Sequence, residues 1–464
     1  MIDVDSVTAA EVAVLGRWVS GLSWPDVPAA VRHRLRLVLT DVLAVTTIGA
    51  RDPEQQRLVE AWEPAVGPAP LFGAGMATTV EAASWLNATA LVRLELDEGN
   101  KFAKGHPAAH GFPAVLALAA ARGVDAQTLL TALVVAYEVG SRFGRATSLR
   151  PGMHPHGSWG VAGAAAGCAR VLGLDGDATA AAIDAASGMA VAAHFTSALD
   201  GNRVRDAWIG ASNLSGLNAA RMASAGIARN TGTAAHTLGA LLGRFDATET
   251  TAELGTRWDI ELGYFKQHAA CSFTHPAADA VLELRESGRL PAPDAIDRIT
   301  VETHSLAVSL NRTTWTDRLS AMFSIPFVVA AAAVHGSVGP EVSEGALLRD
   351  PRVRALAERV DVRGAADLDA RLPDERAMRV TVVSGGQELV SERPNPIGDS
   401  AFHPFGQKGL HALLSRLLGS GEDATKIAAA VDSVFSGGEP GELAALSTPM
   451  RNAPAPDLEL PTHT

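Results

Sequence analysis

The stretch SWGVAGAAAGCARVLGL, residues 158–174, consists almost entirely of small and apolar residues. Alanine is the best helix former, and small residues at positions 160 and 162–164 would let a neighbouring helix approach closely. A second run of this kind, VVAAAAVHG, covers residues 328–336. Strands favour β-branched and aromatic residues, yet aromatic residues make up only 5% of the chain. The composition therefore favours closely packed helices over a sandwich of sheets.

Helices are expected through most of the first 265 residues. Thr8 and Glu11 have the spacing of a capping box, and apolar residues recur at helical spacing from Pro28 onward. No segment before about residue 265 alternates strongly enough to predict a strand. Further helices are expected over residues 114–121, 126–142, 158–174, 178–188 and 211–225.

The pattern changes after about residue 270, where a helix is expected to begin near Thr274. Residues 297–308 alternate like a strand, and residues 377–392 have the pattern of a hairpin that turns at Gly385 and Gly386. These features predict a small α+β domain over roughly residues 270–395.

Asp350 followed by Pro351 predicts the start of a helix within this small domain. Residues 395–418 return to a helical pattern, and the tail from Ser436 is expected to be loosely ordered. The fold class predicted from these patterns is mainly α with a smaller α+β part.

Composition and charge exclude several classes of protein. The 464 residues are 47% hydrophobic and 19% charged, which is typical of a folded chain of two or three domains. The net charge is −12 without a basic cluster, so no nucleic-acid partner is expected. Cys168 and Cys271 are too few for a disulfide framework. The N-terminus lacks the layout of a signal peptide, and the longest apolar stretch, residues 325–334, is too short to span a bilayer. We expect a cytoplasmic protein with no membrane association.

The densest polar segment is RLELDEGNKFAKGHPAAHG, residues 93–111, between two apolar helical stretches. Carboxylates beside histidines in such a loop could transfer protons, although the same residues would also suit a solvated surface loop. Its candidate residues are Glu95, Asp97, Glu98, Lys101, Lys104, His106 and His110.

The second segment, GMHPHGSWG, places His154 and His156 just before the Ala-rich helix. Backbone N–H groups at that helix start could bind an anion, and the two histidines could form half of a metal site or only pack. No further ligands stand at a characteristic spacing. A third segment, GNRVRDAWIG, carries Arg203 and Arg205, which could also belong to a salt-bridged face.

A fourth segment, FKQHAACSFTHPAADA, covers residues 265–280 at the expected domain boundary. Lysine, cysteine and histidine side chains this close could provide a nucleophile and a base, while an alternative is that the cysteine lies in the core and Thr274 caps a helix. The residues concerned are Lys266, His268, Cys271 and His275. The motifs of nucleotide-binding loops, serine hydrolases and zinc proteases are absent from the sequence.

These segments, taken in order, resemble the MmgE/PrpD family, whose members include 2-methylcitrate dehydratase, cis-aconitate decarboxylase and iminodisuccinate epimerase. The resemblance also includes LNATALVRLELDEG, AYEVGSRFG and FSIPFVVAAA and extends over nearly the whole chain. It implies an all-helical domain formed by residues 1–268 and 396–464, and an α+β lid domain formed by residues 269–395. It further implies a homodimer, an active site between the domains, small anionic carboxylate substrates and no required metal or cofactor.

The resemblance also implies roles for single residues. The functional aspartate of the family falls on Glu95, with Asp97 as the nearby alternative, and the family's two histidines match His106 and His154. The substrate-binding lysine of the decarboxylase branch is replaced by Arg205. Lys266 matches a lysine of the family and is expected to bind substrate and assist catalysis.

Cys271 stands where the decarboxylase has a catalytic histidine, which argues against a cis-aconitate decarboxylase proper. Cys271 could move a proton or only pack. His106 is the first candidate for the general acid or base, and His154 is its partner. Lys101, Lys104, His110 and His156 are expected to add positive potential or substrate contacts.

The leading expectation is a cofactor-independent lyase that dehydrates a small hydroxy-polycarboxylate or a related β-hydroxy acid. An epimerase, an isomerase or a decarboxylase acting on a similar acid is the alternative, because all these reactions develop charge next to a carboxylate. A non-catalytic carboxylate-binding homodimer and a metal-dependent enzyme are further alternatives.

Overall fold

The computed structural model describes residues 4–448, and its larger part is a bundle of helices around one continuous apolar core. The Ala-rich helix α7 lies at the centre of this bundle and packs against α5, α6, α8 and α10. The helices of the first half are α1 (Val4–Gly21), α2 (Ala29–Ala50), α3 (Pro53–Trp62), α4 (Val80–Val92), α5 (Pro107–Arg122), α6 (Ala126–Ala146), α7 (Val161–Val171), α8 (Gly176–Ser187), α9 (Thr196–Leu199) and α10 (Val204–Ser224).

Small residues on α7 are required by the distance between its backbone and that of α6. A Cβ atom placed on Gly163 would lie 2.4 Å from the carbonyl oxygen of Ala136 and 2.9 Å from the Cα of Gly140. Backbone atoms cannot move aside as a side chain can, so only glycine fits at this crossing. The predicted mainly α class is confirmed. The small residues of the segment 158–174 explain how α7 packs so closely against α6 at the centre of the bundle.

Several expected helix limits are wrong. Thr8 is buried inside α1 and does not cap it, so the predicted capping box is not formed. Helix α5 begins at Pro107, where proline suits the first helical position, and α10 begins at Val204; both starts are seven residues earlier than expected. Helix α7 is shorter than the expected 158–174 at both ends.

Short strands occur before residue 265, contrary to the expectation. They are only two to six residues long, which is too short for an alternating pattern to stand out. The pairs are β1 (Val66–Leu71) with β2 (Met76–Thr78), β3 (Gly99–Asn100) with β6 (Gly263–Tyr264), and β4 (Thr147–Leu149) with β5 (Gly243–Phe245).

The smaller part of the fold is a four-stranded sheet with helices packed against it. Its strands are β7 (Arg298–Thr303), β8 (Val360–Gly364), β9 (Met378–Ser384) and β10 (Gln387–Arg393), in the order β10-β9-β7-β8, and only β7 and β8 run parallel. Its helices are α11 (His275–Glu286), α12 (Arg318–Met322), α13 (Ile325–His335), α14 (Pro351–Ala357) and α15 (Ala366–Asp369).

Two local predictions for this part are confirmed. The hairpin turns at Gly385 and Gly386, whose φ angles of 54° and 77° suit glycine. Asp350 caps α14, since its side chain accepts a hydrogen bond of 2.8 Å from the backbone N–H of Arg352. The strand expected over residues 297–308 ends earlier, at Thr303.

Two further helices, α16 (Gln407–Leu418) and α17 (Gly421–Phe435), pack against each other and against α2. A helical pattern was expected from residue 395, but the helix begins only at Gln407, and residues 395–406 are not helical. Residues Pro440–Ser447 form 3₁₀ turns, so the start of the tail is ordered, and residues 449–464 lie outside the described part. The domain limits at residues 268 and 396 stay a prediction. Within residues 4–448 no helix is both long and apolar enough to cross a membrane.

Candidate active site

The candidate site forms around the loop that connects α4 to α5. The short strand β3 in this loop pairs with β6, with Gly99 opposite Tyr264. This pairing brings Asp97, two residues before β3, next to Lys266, two residues after β6. The Nζ atom of Lys266 lies 3.2 Å from Oδ1 of Asp97 and 3.3 Å from Oε2 of Glu95.

Arg205 adds a second buried cation from the first turn of α10. Its guanidinium forms ion pairs with Glu95 and Asp206, and it donates a hydrogen bond of 2.9 Å to the carbonyl oxygen of Val92. Burial alone would lower the pKa values of Arg205 and Lys266, but the neighbouring carboxylates outweigh it and raise both. Both side chains are therefore charged.

Glu95 holds a left-handed backbone conformation with φ of 54°. A residue with a Cβ atom adopts this conformation at a cost, and such residues concentrate at functional sites. The conformation lets the carboxylate of Glu95 contact Arg205 and Lys266 at once.

His106 stands at the start of α5 with a defined tautomer. Its Nδ1 atom lies 2.7 Å from the carbonyl oxygen of Glu98 and 3.0 Å from Oδ2 of Asp97. Both neighbours are acceptors, so Nδ1 carries a proton, and in the neutral ring Nε2 has the lone pair. Burial would raise the pKa of the Asp97 carboxyl, but His106 and Lys266 hold it far below its usual range. Asp97 is thus an anion that orients His106 and would stabilise its protonated form.

The structure places His156, and not the expected His154, beside this group. The ring centroid of His156 lies 5.3 Å from that of His106, and Nε2 of His156 lies 3.4 Å from Nη2 of Arg205. Since the guanidinium can only donate, Nε2 is the acceptor and Nδ1 of His156 carries the proton. Within the described chain that Nδ1 atom has no hydrogen-bond partner.

His154 supports His156 from behind. Its Nδ1 atom accepts a hydrogen bond of 3.1 Å from the backbone N–H of His156, and its ring stacks on Phe195 and contacts Trp208. Burial and the charge of Arg205 lower the pKa values of both histidines well below the usual range, so both are neutral.

Two models of known protein families match most of the chain. The model of the MmgE/PrpD N-terminal domain matches residues 13–250, and that of the MmgE/PrpD C-terminal domain matches residues 268–433. The chain belongs to the MmgE/PrpD family. The matches cover the site residues described above except Lys266, which lies between the two matched ranges.

Curated relatives include enzymes of this family. A cis-aconitate decarboxylase from Aspergillus terreus is 27% identical over 298 residues, which cover 59% of this chain and 59% of the relative. A cis-aconitate decarboxylase-like protein, oryM, from Aspergillus oryzae is 28% identical over 327 residues, which cover 64% of this chain and 66% of the relative. The chain therefore spans less than two thirds of the length of these relatives.

Two further buried residues of this MmgE/PrpD chain, Glu98 and His110, belong to the same group of side chains as His106. Glu98 accepts hydrogen bonds from the backbone N–H of Ala108 and the hydroxyl of Tyr137, and burial raises its pKa to about 8. His110 lies 2.9 Å from Oγ of Ser212, and burial lowers its pKa to about 3. At neutral pH both groups are uncharged and hold the loop in place.

The two lysines of the loop, Lys101 and Lys104, have partners other than the Asp97 carboxylate. Nζ of Lys101 forms an ion pair of 3.0 Å with Asp399. Nζ of Lys104 donates to the carbonyl oxygens of Gly144 and Thr147 at the end of α6. Neither lysine offers a free charge to a ligand in this arrangement.

The segment after β6 divides between two locations. Cys271 borders the site, but burial, helped by the charge of Glu95, raises the pKa of its thiol to about 11. His268 lies 2.8 Å from Oδ1 of Asp279, and Nε2 of His275 lies 3.1 Å from the carbonyl oxygen of Ala270. These two histidines therefore have partners outside the site, while Lys266 contacts the carboxylates of Glu95 and Asp97.

A metal ion is a poor fit to this site. Asp97, His106 and His156 could each offer one ligand atom, and these atoms lie within 4.8 Å of one another. The same groups already face Lys266 and Arg205, whose positive charges would repel a divalent cation. The sequence could not reveal this competition, because Arg205 is far from the histidines along the chain.

Reasoning from the sequence missed one contributor, Asp206, and the role of a second, Glu98. Asp206 follows Arg205 directly and forms ion pairs with Arg205, Arg93 and Arg203. Glu98 was noted as a candidate, but its role beside His106 gave no signal in the sequence. A carboxylate next to two arginines in GNRVRDAW was the only available hint of Asp206.

Proposed function

We propose that this chain is a cofactor-independent lyase that eliminates water from a small hydroxy-polycarboxylate or a related β-hydroxy acid. The observation that carries this proposal is the position of His106. Its Nδ1 atom faces two acceptors, so that in the neutral ring a basic Nε2 is available near the two buried cations. A base held near cations is what proton abstraction next to a carboxylate requires.

In the proposed reaction, Nε2 of His106 removes the proton from the carbon next to the carboxylate. The electron pair of that C–H bond forms the C=C bond, the C–O bond to the hydroxyl group breaks, and water leaves. Asp97 stabilises the imidazolium that forms on His106. Lys266 and Arg205 stabilise the negative charge that develops on the carboxylate.

The leaving hydroxyl group needs a proton, and the imidazolium formed on His106 provides it, which returns His106 to its neutral form. His156 is neutral, so its Nδ1–H donates a hydrogen bond to the hydroxyl oxygen and transfers no proton. This Nδ1–H has no acceptor within residues 4–448, and the ring of His156 meets that of His106 edge to face. We infer that His154 assists by orienting His156.

Decarboxylation is the second candidate, and the named relatives favour it. There a C–C bond would break, carbon dioxide would leave, and the electron pair left on the carbon would take up a proton from His106 in its protonated form. Cys271 stands where the resemblance places a histidine in the decarboxylases, and its neutral thiol is a weak proton donor. This difference ranks decarboxylation behind dehydration.

The test is proton NMR in D₂O with a panel of 2-methylcitrate, citrate, cis-aconitate, malate and iminodisuccinate. A new alkene signal indicates elimination, deuterium uptake without an alkene indicates epimerisation, and loss of carboxylate indicates decarboxylation. His106→Ala should abolish the signal, while His411→Ala on α16 serves as a control. Binding of these acids without any exchange or turnover would instead favour the carboxylate-binding homodimer.

A further inference from the structure

The two cations of the site are already compensated by carboxylates of the protein. Lys266 contacts Glu95 and Asp97, while Arg205 contacts Glu95 and Asp206. A substrate with two or three carboxylates would add several negative charges to this compensated group. At least one of these carboxylates needs a cation that has no protein carboxylate as its partner.

Arg376 has this property. It lies just before β9, is 4% exposed, and forms no ion pair with any carboxylate of the described chain. Its two Nη atoms donate only to neutral acceptors, namely Oγ of Ser272 at 3.2 Å and the carbonyl oxygen of Lys101 at 3.3 Å. Its guanidinium also lies over the ring of Phe273, 4.9 Å from the centroid.

The contacts of Arg376 connect it to the site. Ser272 follows Cys271, whose thiol responds to the charges of Glu95 and Lys266. The pKa of Tyr264 is raised by burial but is lowered in part by both Arg376 and Lys266. The guanidinium of Arg376 lies 5.5 Å from the ring centroid of Tyr264, two residues before Lys266, so Arg376 stands on the α+β side of the same buried region.

A neutral donor accompanies Arg376. His304 follows β7, is fully buried, and neither of its ring nitrogens has a partner in the part of the chain that the structure describes. Its ring meets that of Phe273 with centroids 5.5 Å apart. Burial and the charge of Arg376 lower the pKa of His304 to about 4, so it carries one N–H and one lone pair at neutral pH.

We propose that Arg376 binds a carboxylate of the substrate that is remote from the reacting carbon, with His304 as a second donor. The long hydrogen bonds to two neutral oxygens are exchanged for charge-assisted bonds to the carboxylate. This proposal rests on the proposed function, because it names the residue that binds the remote carboxylate of the same substrate. It makes the α+β part of the fold the region that selects substrates with a remote carboxylate.

The test uses tricarballylate, a saturated tricarboxylate without a hydroxyl group to eliminate, and isothermal titration calorimetry of the full chain. Arg376→Gln should weaken tricarballylate binding at least tenfold, and Arg376→Lys should restore part of it, since lysine keeps the charge but loses the planar fork. Arg379→Gln is the matched control. It removes the same charge three residues further on, from a side chain that is ion-paired with Glu302, Asp367 and Glu392.

A merely structural role for Arg376 predicts a different result. It would lower the melting temperature of Arg376→Gln and leave the Kd for tricarballylate unchanged, which would overturn the proposal. If Arg376→Gln does not fold, an unchanged Kd in Arg376→Lys overturns it as well. Failure of the unmodified protein to bind tricarballylate also counts against it.

The two proposals can fail separately. Binding of tricarballylate that depends on Arg376, together with no turnover of any acid, would support the binding role and reject the lyase. Turnover with the same KM in Arg376→Gln as in the unmodified protein would support the lyase and reject the binding role.

Discussion

Among residues 4–448, Asp97 is the one carboxylate that contacts both His106 and Lys266, so we expect Asp97→Asn to affect catalysis more than folding. The amide cannot stabilise a charged imidazole ring, and the loss of a positioned acid–base group costs about 10²- to 10⁴-fold in rate. Removing one partner of a buried ion pair costs about 3–5 kcal/mol. The cost here should be at the low end, because Glu95 still contacts Lys266.

The assay is kcat for whichever acid of the NMR panel reacts, measured beside the free energy of unfolding in urea. Asp184→Asn is the control. Asp184 is equally buried, but its carboxylate accepts hydrogen bonds from Thr231 and Thr233, away from the site. We expect Asp184→Asn to lose stability and keep kcat. A kcat for Asp97→Asn within threefold of the unmodified enzyme would refute the role given to Asp97.

Three further predictions concern stability and reactivity. Because the pKa of Glu98 is raised to about 8, the folded chain keeps a proton that the unfolded chain releases above about pH 4.5, so stability should fall as pH rises from there to 8. Glu98→Gln should flatten this fall in urea titrations across that range, and an unchanged slope would contradict it. Gly163→Ala should destabilise by about 1–3 kcal/mol, since its Cβ meets the Ala136 carbonyl, while Gly21→Ala, with open space around it, should not. Cys271 should react only slowly with iodoacetamide at pH 7, and Cys271→Ser should keep most activity; rapid alkylation would show a thiolate instead.

Local patterns were sufficient to predict the helical class and several elements. The helices around residues 126–146 and 161–171 follow from apolar and small residues at helical spacing. The hairpin at Gly385 and Gly386 follows from turn chemistry that needs no distant contact. The start of α5 at Pro107 was missed, because polar residues of the site interrupt the apolar pattern at that end.

The candidate site was predictable only as a set of residue types. The sequence marked the segment at residues 93–111 as polar and rich in acid–base groups, and the family resemblance marked Arg205 and Lys266. Which of His154 and His156 lies beside His106 was not predictable, since the two are only two residues apart and the loop geometry decides which ring turns inward.

The sequence by itself determined a mainly helical protein with a small sheet and several segments rich in acid–base groups, because helix propensity, turn chemistry and residue type are local properties. Only the tertiary structure decided how the charges are shared. The pairing of β3 with β6 brings Lys266 to Asp97 across 169 positions of sequence. The packing of the two parts of the fold also leaves Arg376 without a carboxylate. Ion pairing depends on distance in space and on burial, and neither can be read from the order of residues.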